Sequence, residues 1–325
     1  MSAFDLPIEQ LRAYLPAREE PEDFDAFWRA TLEMSRAAAA PPRFERIETA
    51  LRTVTVDDVT FGGFAGQPIR AWLLAPAGAS EPLPTVVEYI GYGGGRSLPF
   101  EWLQWASAGY AHFVMDTRGQ GSVWSPGDTP DVEDGSTGGH HPGFVTRGIE
   151  RPETWYYRRL VTDAVLAVDA ARSHPLVDGS RIAVAGMSQG GGLALAVAAL
   201  GEGVGAATID VPFLCSWRRA LEITDAHPYR ELTQYLSIHR DLEAAVLRTT
   251  AYVDGVNFAP RATAPALFSV GLMDEICPPS TVFAAYNHYA GPKDVRVWSF
   301  NGHEAGELFH QSARYEFLAS LGLAP

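Results

Sequence analysis

Residues 181–191 read Arg-Ile-Ala-Val-Ala-Gly-Met-Ser-Gln-Gly-Gly. The apolar run at 181–185 looks like a strand buried on both faces. Gly186-Met187-Ser188-Gln189-Gly190 follows, and then a small-residue stretch, 191–200, that reads as a helix. A G-x-S-x-G pattern alone is common. Between a buried strand and a helix it forms a nucleophile elbow, a tight turn that lifts the serine hydroxyl off the sheet. The flanking glycines let neighbouring backbone approach without a Cβ clash. The helix N-terminus aims N–H groups at developing negative charge.

Similar apolar runs recur at 85–90, 111–115, 206–209, 266–270 and 295–300. Helical periodicity separates them, most clearly over 155–173, where Leu160, Val161, Ala164, Val165 and Val168 share a face. This alternation predicts an α/β fold with a mostly parallel sheet. Upstream, 53–61 and 69–75 predict an antiparallel hairpin at the sheet edge. Phe24, Phe27, Trp28 and Leu32 predict a helix over 23–38, inside an N-terminal helical extension of about residues 1–45. Two segments break the pattern. Residues 121–150 are rich in Gly, Pro and Asp, and read as a long functional or interfacial loop. Residues 212–265 predict a helical insertion near the mouth of the site, with short helices at 216–225 and 229–238. With no internal repeat or flexible linker, the 325 residues read as one domain with insertions.

The net charge of −14 disfavours a nucleic-acid partner. Cys215 and Cys277 are too few for a disulfide framework and read as reduced thiols. The N-terminus has neither the basic nor the apolar region of a signal peptide, and no apolar run could span a bilayer. A cytoplasmic protein without a membrane partner is expected.

A serine hydroxyl needs a base, and the base needs an orienting acid. In the α/β-hydrolase fold, which the elbow and the alternation both indicate, the chain order is serine, acid, histidine. His303 follows the last strand-like run. The loop there can reach back over Ser188. The other histidines fit less well; His310, on the final helix, reads as a surface residue. Asp274 lies just past the 266–270 run, at the functional edge of such a sheet. Asp210 is its rival, with anchoring of the insertion as its other reading, and Asp116 comes too early in the chain. The Gln189 backbone N–H is one expected oxyanion donor. The other is Tyr92 N–H, from the glycine-rich loop Gly91-Tyr92-Gly93-Gly94-Gly95.

Further motifs now carry a resemblance. Arg118-Gly119-Gln120, Gly186-Met187-Ser188-Gln189-Gly190 and His303-Glu304 match, in order, the RGQ, GxSQG and HE motifs of the acetyl xylan esterase / cephalosporin C deacetylase family, carbohydrate esterase family seven. The likeness runs from about residue 4 to 321. Met187 departs from the glycine often found there, and residues 133–141 are less family-like. The resemblance implies deacetylation of small acetylated sugars, xylo-oligosaccharides and cephalosporin C. It also implies Ser188, Asp274 and His303 as the triad, Tyr92 and Gln189 as oxyanion donors, no cofactor, and a homo-hexamer whose interface includes the 121–150 loop. Arg118 is expected to tie neighbouring loops together, through Glu304, with Gln120 in the same supporting motif.

His140-His141 lacks ligand-spaced partners, so no metal is expected. Cys277 reads as a packed small side chain. Trp105, Trp124 and Tyr92 could supply sugar-stacking surface or core. Two rivals are a peptidase or longer-chain esterase of the same fold, and a non-catalytic ligand-binding relative. A chain-length series of p-nitrophenyl esters separates the first. Equal acetate release by wild type and Ser188→Ala would favour the second.

Overall fold

The computed structural model describes residues 5–132 and 138–325. Nine strands form one sheet in the order β1-β2-β3-β5-β4-β6-β7-β8-β9. The antiparallel edge comprises β1 (Arg43–Ile47), β2 (Val54–Gly62) and β3 (Pro68–Pro76), with β3 also antiparallel to β5. The parallel part comprises β4 (Leu83–Tyr89), β5 (Ala111–Met115), β6 (Val177–Met187), β7 (Ala206–Asp210), β8 (Ala266–Gly271) and β9 (Lys293–Trp298). The predicted hairpin is β2–β3, but it is not the outermost pair. β1 covers it, and its mostly exposed burial pattern explains why no apolar run marked it.

α1 (Ile8–Arg12) and α2 (Phe24–Ala38) precede the sheet. α2 buries Phe24, Trp28, Thr31, Leu32 and Ser35 along one stripe. α3 (Leu103–Ser107) follows β4, and α4 (Tyr156–Arg172) follows β5. α5 (Gln189–Leu200) starts at the elbow and is buried along nearly its whole length, which its Gly and Ala content permits. The insertion holds α6 (Trp217–Ile223), α7 (Tyr229–Ile238), α8 (Glu243–Thr250) and α9 (Gly255–Phe258). α10 (Pro279–His288) and α11 (Glu307–Ser320) complete the chain. The main core joins α4 and α5 to the sheet; a smaller cluster packs Trp105 and Leu318, from α3 and α11, beside Val86 and Ala185. The sheet is therefore covered on both faces, as buried parallel strands require.

From β4 the chain steps to β5, then back past β4 to β6. Such a switch in direction leaves a crevice at the carboxyl ends of the strands. The loops holding Tyr92 and Ser188 open there.

Asp254 pins both ends of the insertion. Its partly buried carboxylate accepts the N–H groups of Ser216 (2.8 Å), Trp217 (3.1 Å) and Val256 (2.9 Å). Burial pushes its carboxyl up to about 6 against these three bonds. A carboxyl raised on folding stabilises most below its unfolded pKa, and that contribution is lost as pH rises through the folded value. Thermal stability should therefore fall as pH climbs through about 6, and Asp254→Asn should flatten that part of the profile. Parallel melting curves for the two proteins across this range would refute it.

Candidate active site

Ser188 sits between β6 and α5 with φ 58° and ψ −120°, a strained conformation for a side-chain-bearing residue. Packing enforces it. A Cβ on Gly186 would lie 2.3 Å from the Gly190 carbonyl carbon, and one on Gly190 would lie 2.1 Å from the Tyr89 carbonyl oxygen. Ser188 N–H donates to the Asp210 carbonyl at 2.9 Å, tying the turn to β7.

Asp274 follows β8 and is fully buried. Its Oδ1 accepts the N–H groups of Ile276 (2.8 Å) and Cys277 (2.9 Å). Its Oδ2 meets His303 Nδ1 at 2.8 Å. Two backbone donors thus fix the carboxylate, and the carboxylate fixes the ring. His303 and Ser188 line the same cavity of about 530 Å³, with Tyr92, Trp102, Trp124 and Ile276. No hydrogen bond joins Ser188 to His303 in this structure. Such contacts are often loose before substrate arrives. The Cys277 thiol, pushed up by burial, lies within reach of the Ser188 side chain.

The glycine-rich loop 91–95 is held from behind. Gln120 Oε1 accepts Gly93 N–H at 2.6 Å, and Gln120 Nε2 donates to Tyr156 Oη (3.0 Å) and Gln189 Oε1 (2.8 Å). The Gly93 amide is thereby occupied, and Tyr92 lines the cavity together with Ser188. Tyr92 Oη donates to Glu231 Oε1 at 2.5 Å and accepts Phe144 N–H at 3.1 Å. Gln120→Ala should lower kcat on an acetyl ester by about 10- to 100-fold, with a smaller change in KM, because it loosens donors that matter most in the transition state. An unchanged kcat would show that the loop holds its geometry without Gln120.

Several expectations need correcting. Arg118 does not touch Glu304. It is fully buried and forks onto Asp163 (Nε–Oδ2 2.5 Å, Nη2–Oδ1 2.8 Å), with Asp131 at 3.4 Å and Gln67 also bonded. Glu304 instead accepts Asn301 Nδ2 (2.7 Å) and Gly302 N–H (2.9 Å) within the His303 loop. From the turn after β5 the guanidinium is buried against α4, where Asp163 holds it. His310 is not a surface residue: it is buried, with Nε2 at 2.6 Å from Asp210 Oδ1. Asp210 is engaged by α11, so it anchors the final helix and not the insertion. Trp105 is core, packed edge-to-face against Tyr110 and Tyr315, whereas Trp124 lines the cavity. The 121–150 segment has no α-helix or strand among its described residues; 133–137 lie outside them. Asp163, Glu231, Glu88, Trp102 and His227 were not anticipated. Asp163 alone had a signal, a carboxylate inside the apolar stripe of α4.

The acetyl xylan esterase (AXE1) family matches residues 1–321. An acetyl xylan esterase from Paenibacillus sp. R4 is 41% identical, with a TM-score of 0.90 over 97% of this chain and 99% of that one. Acetyl xylan esterase 1 from Thermoanaerobacterium sp. JW/SL YS485 is 33% identical, with a TM-score of 0.86 over 98% and 99%. An acetyl esterase of Xylanibacter ruminicola is 26% identical over 301 residues, 89% of this chain; the chain spans 64% of that relative's length. An acylaminoacyl peptidase of Pyrococcus horikoshii, 18% identical with a TM-score of 0.57 over 83% of this chain and 41% of its own, shares the fold alone. The chain belongs to the acetyl xylan esterase family, a family of carboxylic ester hydrolases with the α/β-hydrolase fold.

Proposed function

We propose that this protein removes acetyl groups from small acetylated carbohydrates through an acetyl-enzyme intermediate on Ser188. The observation that carries the reading is the Asp274–His303 pair opening on the same cavity as a strained serine elbow. His303 takes the Ser188 proton as Oγ attacks the acetyl carbonyl. The oxyanion is met by the N–H groups of Tyr92 and Gln189. Protonated His303 then gives its proton to the departing sugar oxygen. Water, deprotonated by the same ring, attacks the acetyl ester and releases acetate. Asp274 keeps the imidazole in the tautomer this needs.

Cephalosporin C is proposed as a secondary substrate because it too carries an acetoxy group. A cytoplasmic homo-hexamer is proposed as the working form. The largely exposed Phe300, Leu308 and Phe309 offer an apolar face that another copy could cover. Light scattering should return about six times the 35.3 kDa chain mass. Acetate release from acetylated xylo-oligosaccharides, monosaccharides and cephalosporin C tests the activity. Failure on all of them, with turnover of longer acyl esters, would overturn it.

A further inference from the structure

We propose that Glu88 sets the charge preference of the catalytic cavity, admitting neutral acetylated sugars and turning away esters that carry a carboxylate. The proposal rests on the deacetylation reading above and names the substrates that reading leaves open.

Glu88 lies on β4 and lines the cavity with Trp102, Trp124 and His227; no lysine or arginine does so among the described residues. Its Oε2 is held by His112 Nε2 at 2.8 Å and accepts Trp105 Nε1–H at 3.1 Å. Its Oε1 stands 3.6 Å from Arg314 Nη2, outside hydrogen-bonding distance, and that nitrogen has no hydrogen-bond partner. The partners that hold Glu88 are buried behind it, whereas its own side chain keeps 17% exposure. The Glu88 carboxylate is thus the least covered member of this cluster and stands at the cavity wall. Arg314 is also shared with Asp210, likewise at 3.6 Å, so one guanidinium serves two carboxylates. Burial opposes ionisation of Glu88, but the His112 bond and the Arg314 charge outweigh it and bring the carboxyl down to about 2.

A carboxylate with a free acceptor oxygen suits the hydroxyl donors of a neutral sugar. The indole N–H groups of Trp102 and Trp124 are spent on the carbonyls of Arg96 and Tyr92, leaving their rings as apolar surface. A second anion in this cavity would meet like charge across poorly screened space.

The test uses fully acetylated methyl glucuronoside as its free acid and as its primary amide, which differ in charge and hardly in shape. Wild type should favour the amide in kcat/KM by about tenfold or more. Glu88→Gln should shrink that preference about tenfold, and Glu88→Asp should keep most of it. An equal fall on both substrates would mark Glu88 as structural and overturn the proposal, as would an unchanged ratio. Should Glu88→Gln not fold, wild type decides alone. Its preference for the amide should fall by about half or more between low and high salt, because screening weakens repulsion, and a flat ratio overturns the proposal. Absence of acetate release from the amide would count against the deacetylation reading itself, separately from the charge preference.

Discussion

Ser188→Ala should lower kcat for acetate release by roughly 10⁶-fold, with KM little changed and a melting temperature close to wild type. In the proposed mechanism the serine contributes through the bond it forms, so removing its oxygen removes the covalent pathway and leaves only binding and oxyanion stabilisation. The hydroxyl is not a structural support: the elbow is held by its own backbone, through Asp210 and the Gly186–Gly190 contact. Asp274→Asn should cost less, roughly 10⁴-fold, because an amide at that position favours the wrong imidazole tautomer while leaving the ring in place. A burst assay would show the acetyl intermediate directly, with no burst from Ser188→Ala. Residual activity within tenfold of wild type would mean that another group carries the chemistry.

Arg118→Ala should be the most destabilising single change, by about 3–5 kcal/mol, since it strands Asp163 in the core without its cation. In a chain of this length that lowers the melting temperature by roughly 5–10 °C. Burial already raises the Asp163 carboxyl above its ordinary value, against the opposing pull of Arg118. Without Arg118 it should rise further. The native state of the variant then binds the proton more tightly than its unfolded state, so acid favours folding. The deficit relative to wild type should be largest near about pH 8 and should narrow toward about pH 5. A deficit that widened on acidification would show that Asp163 is not the stranded group.

Much of this was legible in the sequence, for physical reasons that differ by element. The elbow was readable because its sterics admit so few residues. Strands β4 to β8 were readable because burial on both faces leaves an uninterrupted apolar run. Asp274 and His303 were singled out by their places after particular strands, and the fold brings the two side chains together. β1 was invisible because an edge strand with exposed faces carries no such run. Arg118 was given the wrong partner: chain position gives a side chain's neighbourhood, not the direction in which it leaves the backbone. His310 was misread because the partner that buries it, Asp210, stands a hundred residues upstream. Glu88 was hidden inside an apolar run, its meaning set by His112 and Arg314 from other elements.

Tyr92, in the glycine-rich loop 91–95, is bonded to Glu231 of α7. The insertion that carries α7 is in turn fastened to the start of the chain, through Trp28 Nε1–H on the Tyr252 carbonyl and Arg261 on Glu20 and Asp25. The cavity is thus a keystone arrangement. No contiguous stretch of chain contains it, and no partly assembled one completes it. A chain cut so as to lose α2 would retain Ser188, Asp274 and His303 without the segment that fastens the insertion.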